Sequence, residues 1–197
     1  MTKQQIKMES KIEIFWNLVD MLPEERKTKV KQMMEGKVGE AYFTAPASSR
    51  EEFHSCYPGG LLVHSLNVVK YLLSISKSLC KERYEESQLV FVGLFHDLGK
   101  VGDGDNEYYV PNPSDWHRNK GMLYEVNKAC VHMPTSERGL YVLQKHGITL
   151  TPDEYLAIRL NDGQYDDTNK SYRMKEPELA LLLHWADMWA TKTEKAS

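Results

Sequence analysis

The sequence predicts an all-α protein. Apolar side chains recur at every third or fourth position in several segments, which is the period of an amphipathic helix. Residues that typically start or stop helices bound those segments. The 197 residues are 41% hydrophobic and carry a formal net charge of −3, which suits one globular domain with a sizeable core. Because no repeat, low-complexity tract or long linker divides the chain, residues 1–197 are expected to form a single domain.

Two short helices are predicted near the N-terminus. The first is closed by Pro23, which also offers a first-turn proline to the second helix. The second ends near Gly36, and a polar loop rich in Ala, Ser and Pro is expected to follow to about Ser55. The apolar positions of the first helix are Phe15, Leu18, Val19 and Leu22.

A long helix is predicted after Tyr57-Pro58-Gly59-Gly60, with His64 at the edge of its apolar face. The residues of that face are Leu61, Leu62, Leu66, Val69, Leu72, Leu73 and Leu79. The next segment, residues 89–95, is apolar on all sides, so periodicity alone leaves open a central helix or an internal strand. Its helical neighbours favour a helix, which is expected to run into His96-Asp97 and to stop at Gly99.

Residues 101–121 contain Gly, Asp, Asn and Pro together with Tyr108, Tyr109 and Trp116. This composition indicates a loop or hairpin that can act as a lid over a site.

Three more helices complete the predicted fold. Thr135 or Ser136 is expected to cap a helix that ends at Gly147, and Thr151-Pro152 with Glu154 predicts a capping box at the start of the next. The last helix begins near Pro177. It is expected to bury a stripe made of Leu179, Leu182, Leu183, Ala186 and Ala190, with Asp187 beside it.

Composition also excludes several classes of protein. A membrane span needs about 18 nearly uncharged apolar residues, and the sequence contains no such run. The N-terminus also lacks the apolar stretch of a signal peptide. We therefore expect a cytoplasmic protein without membrane contact. Three widely spaced cysteines predict neither a disulfide framework nor a cysteine zinc site. A sequence pI near 6.2 argues against stable binding of duplex nucleic acid, whereas a small anionic substrate remains open.

Four polar residues stand at the edges of buried faces, where an unpaired carboxylate or imidazole is costly. They are His64, His96, Asp97 and Asp187. Imidazole nitrogen and carboxylate oxygen are ligands of divalent first-row metals, so one shared ion would satisfy all four. The residues alone leave two alternatives open, a shared metal site or separate core residues with their own partners.

The order of these residues resembles the H…HD…D signature of the HD-domain metal-dependent phosphohydrolase superfamily. Three blocks carry the resemblance, namely PGGLLVHSLNVV, LVFVGLFHDLGK and LALLLHWADMWATKTE. The resemblance covers residues 55–195 and implies a helical bundle with a metal in its central groove, held by His64, His96, Asp97 and Asp187. Residues 1–50 then form an N-terminal helical extension.

Some HD enzymes bind a second metal through two further histidines. His132 resembles the first of these, but Asn161 stands where similar sequences carry the second histidine. Because an amide oxygen is a weaker ligand for such metals, we expect one strong site and at most a weak second one. The resident metal is expected to be Mn, Fe, Co or Ni, with Mg also open.

Other residues receive roles in catalysis or substrate binding. Asp97 is expected to orient a water activated by the metal, and His132 to protonate a leaving oxygen, bind the weak second metal or cap a helix. Lys100 and Arg138 are candidates for holding a phosphate, with solvated helix ends as the alternative for both.

Aromatic side chains are candidates for stacking on a base, with packing of loops onto the core as the alternative. They are Trp116, Tyr165, Tyr108 and Tyr109. His184 is expected to support the site or pack nearby, whereas His54, His117 and His146 are expected at the surface.

The leading functional hypothesis is a phosphohydrolase that removes a 5′ phosphate from a nucleotide or cleaves a deoxynucleoside triphosphate. One alternative is a phosphodiesterase acting on cyclic or short linear nucleotides or on RNA ends. Another is a catalytically weak module that binds a nucleotide and regulates a partner. The expected partner is a small nucleotide, and a homo-oligomer remains open.

Overall fold

A computed structural model of the chain describes residues 3–80 and 83–194. In chain order the helices are α1 (Lys3–Val19), α2 (Glu24–Met34), α3 (Lys37–Thr44), α4 (Gly60–Leu79), α5 (Glu86–Phe95), α6 (Asp115–Arg118), α7 (Thr135–Lys145), α8 (Pro152–Arg159) and α9 (Glu178–Glu194). Short 3-10 turns span Leu98–Val101, Gly163–Tyr165 and Asp167–Tyr172. The predicted all-α architecture is confirmed, since the described β-structure is limited to a small hairpin and an isolated bridge between Arg50 and Met122.

That hairpin lies in the segment predicted as a loop or hairpin. Strand β1 (Tyr109–Pro111) pairs antiparallel with β2 (Tyr124–Val126), and Tyr109 stands opposite Val126. Helix α6 lies between the two strands. The hairpin is too short to bury a core of its own.

Helix α4 forms the centre of the bundle and packs against α1, α3, α5 and α9. Residues 89–95 form the helix that the sequence favoured, and all seven are buried. Gly93 allows α5 to approach α4 closely, because a Cβ atom there would lie 2.8 Å from Cγ2 of Val69. The predicted apolar stripe of α9 is buried as well, whereas Leu79 in the last turn of α4 is exposed beside Leu181 and Trp185.

The N-terminal helices share the core of α4 and α5. The Phe15 ring of α1 and the Tyr42 ring of α3 both lie within contact range of the Phe95 ring, with centroids 6.3 and 6.0 Å away. The Tyr42 hydroxyl donates a hydrogen bond to the carbonyl oxygen of Leu94 at 2.6 Å.

Two local expectations were wrong. Residues 37–44 form α3 instead of a loop, because Val38, Ala41 and Tyr42 present a buried face at helical spacing. The N-cap of α7 is Pro134 and is neither Thr135 nor Ser136. No side chain caps that helix. The capping box at Thr151 and Glu154 is present as predicted. Within the described residues, no helix has both the length and the apolar character needed to cross a bilayer.

Candidate metal centre

The fold brings together the four residues expected to bind a metal. His64 lies on α4, His96 and Asp97 follow α5, and Asp187 lies on α9. Nε2 of His64 is 3.0 Å from Oδ1 of Asp187 and 3.6 Å from Oδ2 of Asp97. Nε2 of His96 is 3.6 Å from the same Asp97 oxygen and 4.0 Å from Oδ1 of Asp187. Two imidazole nitrogens and two carboxylates therefore converge on one small volume.

The second nitrogen of each imidazole is held by the protein. Nδ1 of His96 contacts the backbone carbonyl of Gly93 at 2.9 Å, and Nδ1 of His64 contacts Oε2 of Glu194 at 3.2 Å. Both contacts assign the proton to Nδ1 in a neutral ring and leave Nε2 with its lone pair directed at the site, as is usual for metal-binding histidines.

Both Nε2 atoms are buried. Nε2 of His96 has no hydrogen-bond partner among the residues that the structure describes, whereas Nε2 of His64 lies close enough to Asp187 for a hydrogen bond when the imidazole is protonated. An unsatisfied buried polar atom costs about 1–3 kcal/mol, and native proteins contain few of them. A divalent metal would satisfy both atoms together with the carboxylates of Asp97 and Asp187. The donor set thus fits a first-row metal ion.

Glu194, in the last turn of α9, belongs to this site and was missed in the sequence. Besides contacting His64, its carboxylate accepts hydrogen bonds from Oγ of Ser55 and Nδ2 of Asn67, both at 2.8 Å. Glu194 lies two helical turns after Asp187, on the same face of α9. The two-turn spacing between Asp187 and Glu194 was the signal in the sequence that could have identified Glu194.

Charges within the site shift the pKa values of its ligands. Burial disfavours a charged His64, but its hydrogen bonds with Asp187 and Glu194 outweigh burial and raise the pKa of His64 to about 9. Burial likewise opposes ionisation of the two aspartates. The pKa of Asp97 is nevertheless lowered by Lys100 and His96, and the pKa of Asp187 by its hydrogen bond with His64.

Lys100 lies at this site and is not a solvated helix end. Its ammonium is 2.6 Å from Oδ2 of Asp97, and only 14% of its side chain is exposed. Burial disfavours the ammonium, yet the charge of Asp97 raises its pKa. Lys100 therefore stays cationic beside the cluster, where it can meet an anion.

Arg138 has a different placement from the expected phosphate contact or solvated helix end. Arg138 is only 2% exposed. Its guanidinium donates hydrogen bonds to the backbone carbonyls of Gly99 at 3.1 Å and Met133 at 2.6 Å. It also stacks over the Tyr108 ring at 4.1 Å. These contacts assign Arg138 a structural role, joining the turn after Asp97 to the start of α7.

The two residues expected to bind a weak second metal have different surroundings. His132 is exposed and belongs to neither group of possible ligands found in the described parts of the chain. Asn161 is buried, and its Oδ1 has no hydrogen-bond partner there. Its backbone carbonyl contacts Nδ1 of His184 at 2.6 Å. Partial burial raises the pKa of the neighbouring Asp162, and the negative charges of Asp97 and Asp187 raise it further.

The aromatic candidates fall into two groups. Trp116 and Tyr165 are 59% and 81% exposed, so their faces are open to a ligand, although Nζ of Lys120 lies 3.8 Å from the centroid of the Trp116 ring. Tyr109 is partly buried near Lys100. Burial raises the pKa of Tyr109, and the Lys100 charge opposes that change.

His54 was expected at the surface, and this expectation was wrong. Its ring centroid lies 4.5 Å from that of His64. One ligand atom from each of His54, His64 and Asp97 can be chosen so that all three lie within 4.8 Å of one another. Burial, together with the adjacent His64, lowers the pKa of His54 to about 4, so its imidazole is neutral at physiological pH. His117 and His146 are half-buried and belong to neither group of possible ligands.

Comparisons with known proteins add no further constraint. No protein-family model matches the chain, and no curated protein or solved structure shows detectable similarity to it. The structure thus describes a mostly helical protein in which His64, His96, Asp97 and Asp187 can hold a metal ion.

Proposed function

We propose that the protein is a metal-dependent phosphohydrolase of the HD type that acts on a nucleotide. The observation that carries this proposal is the convergence of two buried imidazole nitrogens, those of His64 and His96, with the carboxylates of Asp97 and Asp187. The order of these ligands along the chain and their helical setting both agree with the resemblance to HD phosphohydrolases.

A divalent metal, when bound, lowers the pKa of its water and stabilises negative charge that develops on phosphoryl oxygens. The protein supplies the ligands and fixes their orientation. Gly93 and Glu194 hold the two imidazoles through their Nδ1 atoms, so no ring has to reorient when a substrate enters. Asp97 sits between both histidines and can also orient a nucleophilic water by accepting its hydrogen bond.

Lys100 favours an anionic substrate at the ligands, and two exposed aromatic rings of the described chain suit a nucleobase. Lys100 places a permanent positive charge at the edge of the cluster and can attract a phosphate as a point charge. Trp116 and Tyr165 offer exposed rings, on which any nucleobase can stack. A phosphate monoester or anhydride of a nucleotide combines both chemistries.

The proposal is tested by assaying turnover with Mn²⁺ and a panel of nucleotide mono- and triphosphates, cyclic nucleotides and linear dinucleotides. Products are separated by chromatography, because free phosphate, tripolyphosphate and released monomers identify which bond is broken. Asp97→Asn keeps the shape of the side chain and removes its charge. Asp167→Asn makes the same change at an exposed position, since 85% of the Asp167 side chain is accessible.

We expect turnover of at least one substrate class by the wild type and by Asp167→Asn, and loss of turnover in Asp97→Asn. Hydrolysis of dinucleotides alone would replace the phosphomonoesterase assignment by a phosphodiesterase. Nucleotide binding without product, by folded and metal-loaded wild type, would overturn the enzyme proposal in favour of a regulatory binding module.

A further inference from the structure

The loop between α3 and α4 delivers His54 to the metal centre. Backbone hydrogen bonds tie the loop to both helices, from Gly59 N to Thr44 O at 2.9 Å and from Leu61 N to Ala45 O at 3.0 Å. A further bond joins Ala47 N to Ser55 O at 3.0 Å and closes the loop on itself. The segment is therefore anchored at its ends and across its middle.

Two local features hold this loop close to the site. A Cβ atom on Gly60 would lie 2.0 Å from the carbonyl oxygen of Ser55, so only glycine allows the loop to pack against the first turn of α4. Ser55 adopts a positive φ of 46°, which is uncommon for a residue other than glycine. Its hydroxyl donates to Glu194, the same carboxylate that contacts His64. The residue next to His54 is thus tied to a carboxylate that supports a metal ligand.

One nitrogen of the His54 imidazole has no hydrogen-bond partner among the described residues. Its Nε2 is buried and accepts or donates no hydrogen bond within residues 3–80 and 83–194. Nε2 of His96 also has no hydrogen-bond partner there. Two such nitrogens beside the same His64 are hard to reconcile with a purely structural role, because a buried polar atom costs about 1–3 kcal/mol when left unpaired.

We propose that His54 is an additional ligand of the metal centre, which then combines three imidazoles with the carboxylates of Asp97 and Asp187. This inference rests on the metal site of the proposed function. A ligand set rich in imidazole suits Mn²⁺, Fe²⁺, Co²⁺ or Ni²⁺ better than Mg²⁺, which takes oxygen ligands and retains water. His54 therefore also biases the centre toward transition metals.

The test measures metal binding directly and does not depend on turnover. Chelator-treated protein is titrated with Co²⁺, its visible absorption is recorded, and its affinity is measured by competition with a chelator. The variants are His54→Ala and His54→Gln, with His117→Ala as the matched control that removes an imidazole outside the cluster. Circular dichroism of the metal-free proteins shows whether each variant is folded.

We expect both His54 variants to bind Co²⁺ at least about tenfold more weakly, since loss of even a supporting partner of a ligand costs about 10–100-fold. Their absorption spectra should also change, because replacing one nitrogen ligand alters the field at the ion. The His117→Ala variant should retain wild-type affinity and spectrum. If His54→Ala does not fold, His54→Gln decides the question.

The failures of the two proposals are distinguishable. If wild-type protein binds no Co²⁺, the metal site itself is absent and the proposed function fails with it. If wild type binds Co²⁺ and a folded His54 variant binds it with unchanged affinity and spectrum, His54 is not a ligand and the proposed function stands.

Discussion

Replacing Glu194 by glutamine removes the charge that supports His64 without changing the size of the side chain. Glu194 contacts Nδ1 of His64 at 3.2 Å and accepts hydrogen bonds from Ser55 and Asn67 at 2.8 Å. A hydrogen bond with a charged partner contributes about 1.5–3 kcal/mol and a neutral one about 0.5–1.5 kcal/mol. The difference for His64 alone is about 1–1.5 kcal/mol, which corresponds to about tenfold in an equilibrium constant.

We therefore expect Glu194→Gln to weaken intrinsic Ni²⁺ or Co²⁺ binding about tenfold, at the lower end of the effects seen for partners of metal-binding histidines. A proton competes with the metal for Nε2 of His64, because its pKa is about 9. The variant lowers that pKa as well, so the apparent loss of affinity at pH 7 is smaller than the intrinsic loss. Competition with a chelator at several pH values separates the two effects.

The metal-free variant offers a second measurement. Since the pKa of His64 is raised from 6.5 to about 9 by folding, its ion pairs stabilise the metal-free protein fully below pH 6.5 and lose this effect as the pH rises through 9. The loss of thermal stability in Glu194→Gln should accordingly be larger at pH 6 than at pH 9.5.

Glu178→Gln is the matched control, because Glu178 lies at the other end of α9 and pairs with Arg83 at the surface. It should bind metal like the wild type. Wild-type affinity in Glu194→Gln across the whole pH range would refute the assigned role of Glu194.

Three further predictions concern protonation and packing. Metal binding at pH 7 should release about one proton, because His64 is protonated in the metal-free protein. Calorimetry in two buffers of different ionisation enthalpy measures the number of protons released. A heat of binding that does not depend on the buffer would contradict this prediction. Gly60→Ala should lower the free energy of unfolding by about 1–3 kcal/mol in urea titrations, since the added Cβ would meet the Ser55 carbonyl. An unchanged urea midpoint of unfolding would exclude this steric clash. Arg138→Met should lower the free energy of unfolding by about 2–4 kcal/mol, because one buried and one partly buried carbonyl lose their donor. Metal affinity should stay within twofold, and the reverse pattern would place Arg138 in the site.

The sequence predicted the parts of the fold that depend on local periodicity. The stripe of α9 and the helix over residues 89–95 follow from spacing and from helical neighbours. His64, His96-Asp97 and Asp187 were predicted together only because their order resembles a known signature. Spacing along the chain cannot show that three helices meet at one point.

The remaining features arise from contacts between distant segments. His54 reaches His64 through a loop whose path depends on Gly60 and on a left-handed Ser55, and no periodic pattern marks such a path. The carbonyl of Gly99 lies within reach of Arg138 because the turn that contains Gly99 packs against α7. The sequence left a phosphate contact and a solvated helix end open for Arg138, because a buried arginine cannot be told from an exposed one at a helix start.

The central claim is that one divalent metal binds where α4, α5 and α9 meet. Anomalous diffraction from crystals grown with Mn²⁺ tests it most directly, because the ion is located without any assumption about activity. We expect one dominant anomalous peak within bonding distance of His64 Nε2, His96 Nε2, Asp97 and Asp187. A fully occupied Mn²⁺ elsewhere on the protein, or none at all in crystals with these four side chains ordered, would contradict the claim.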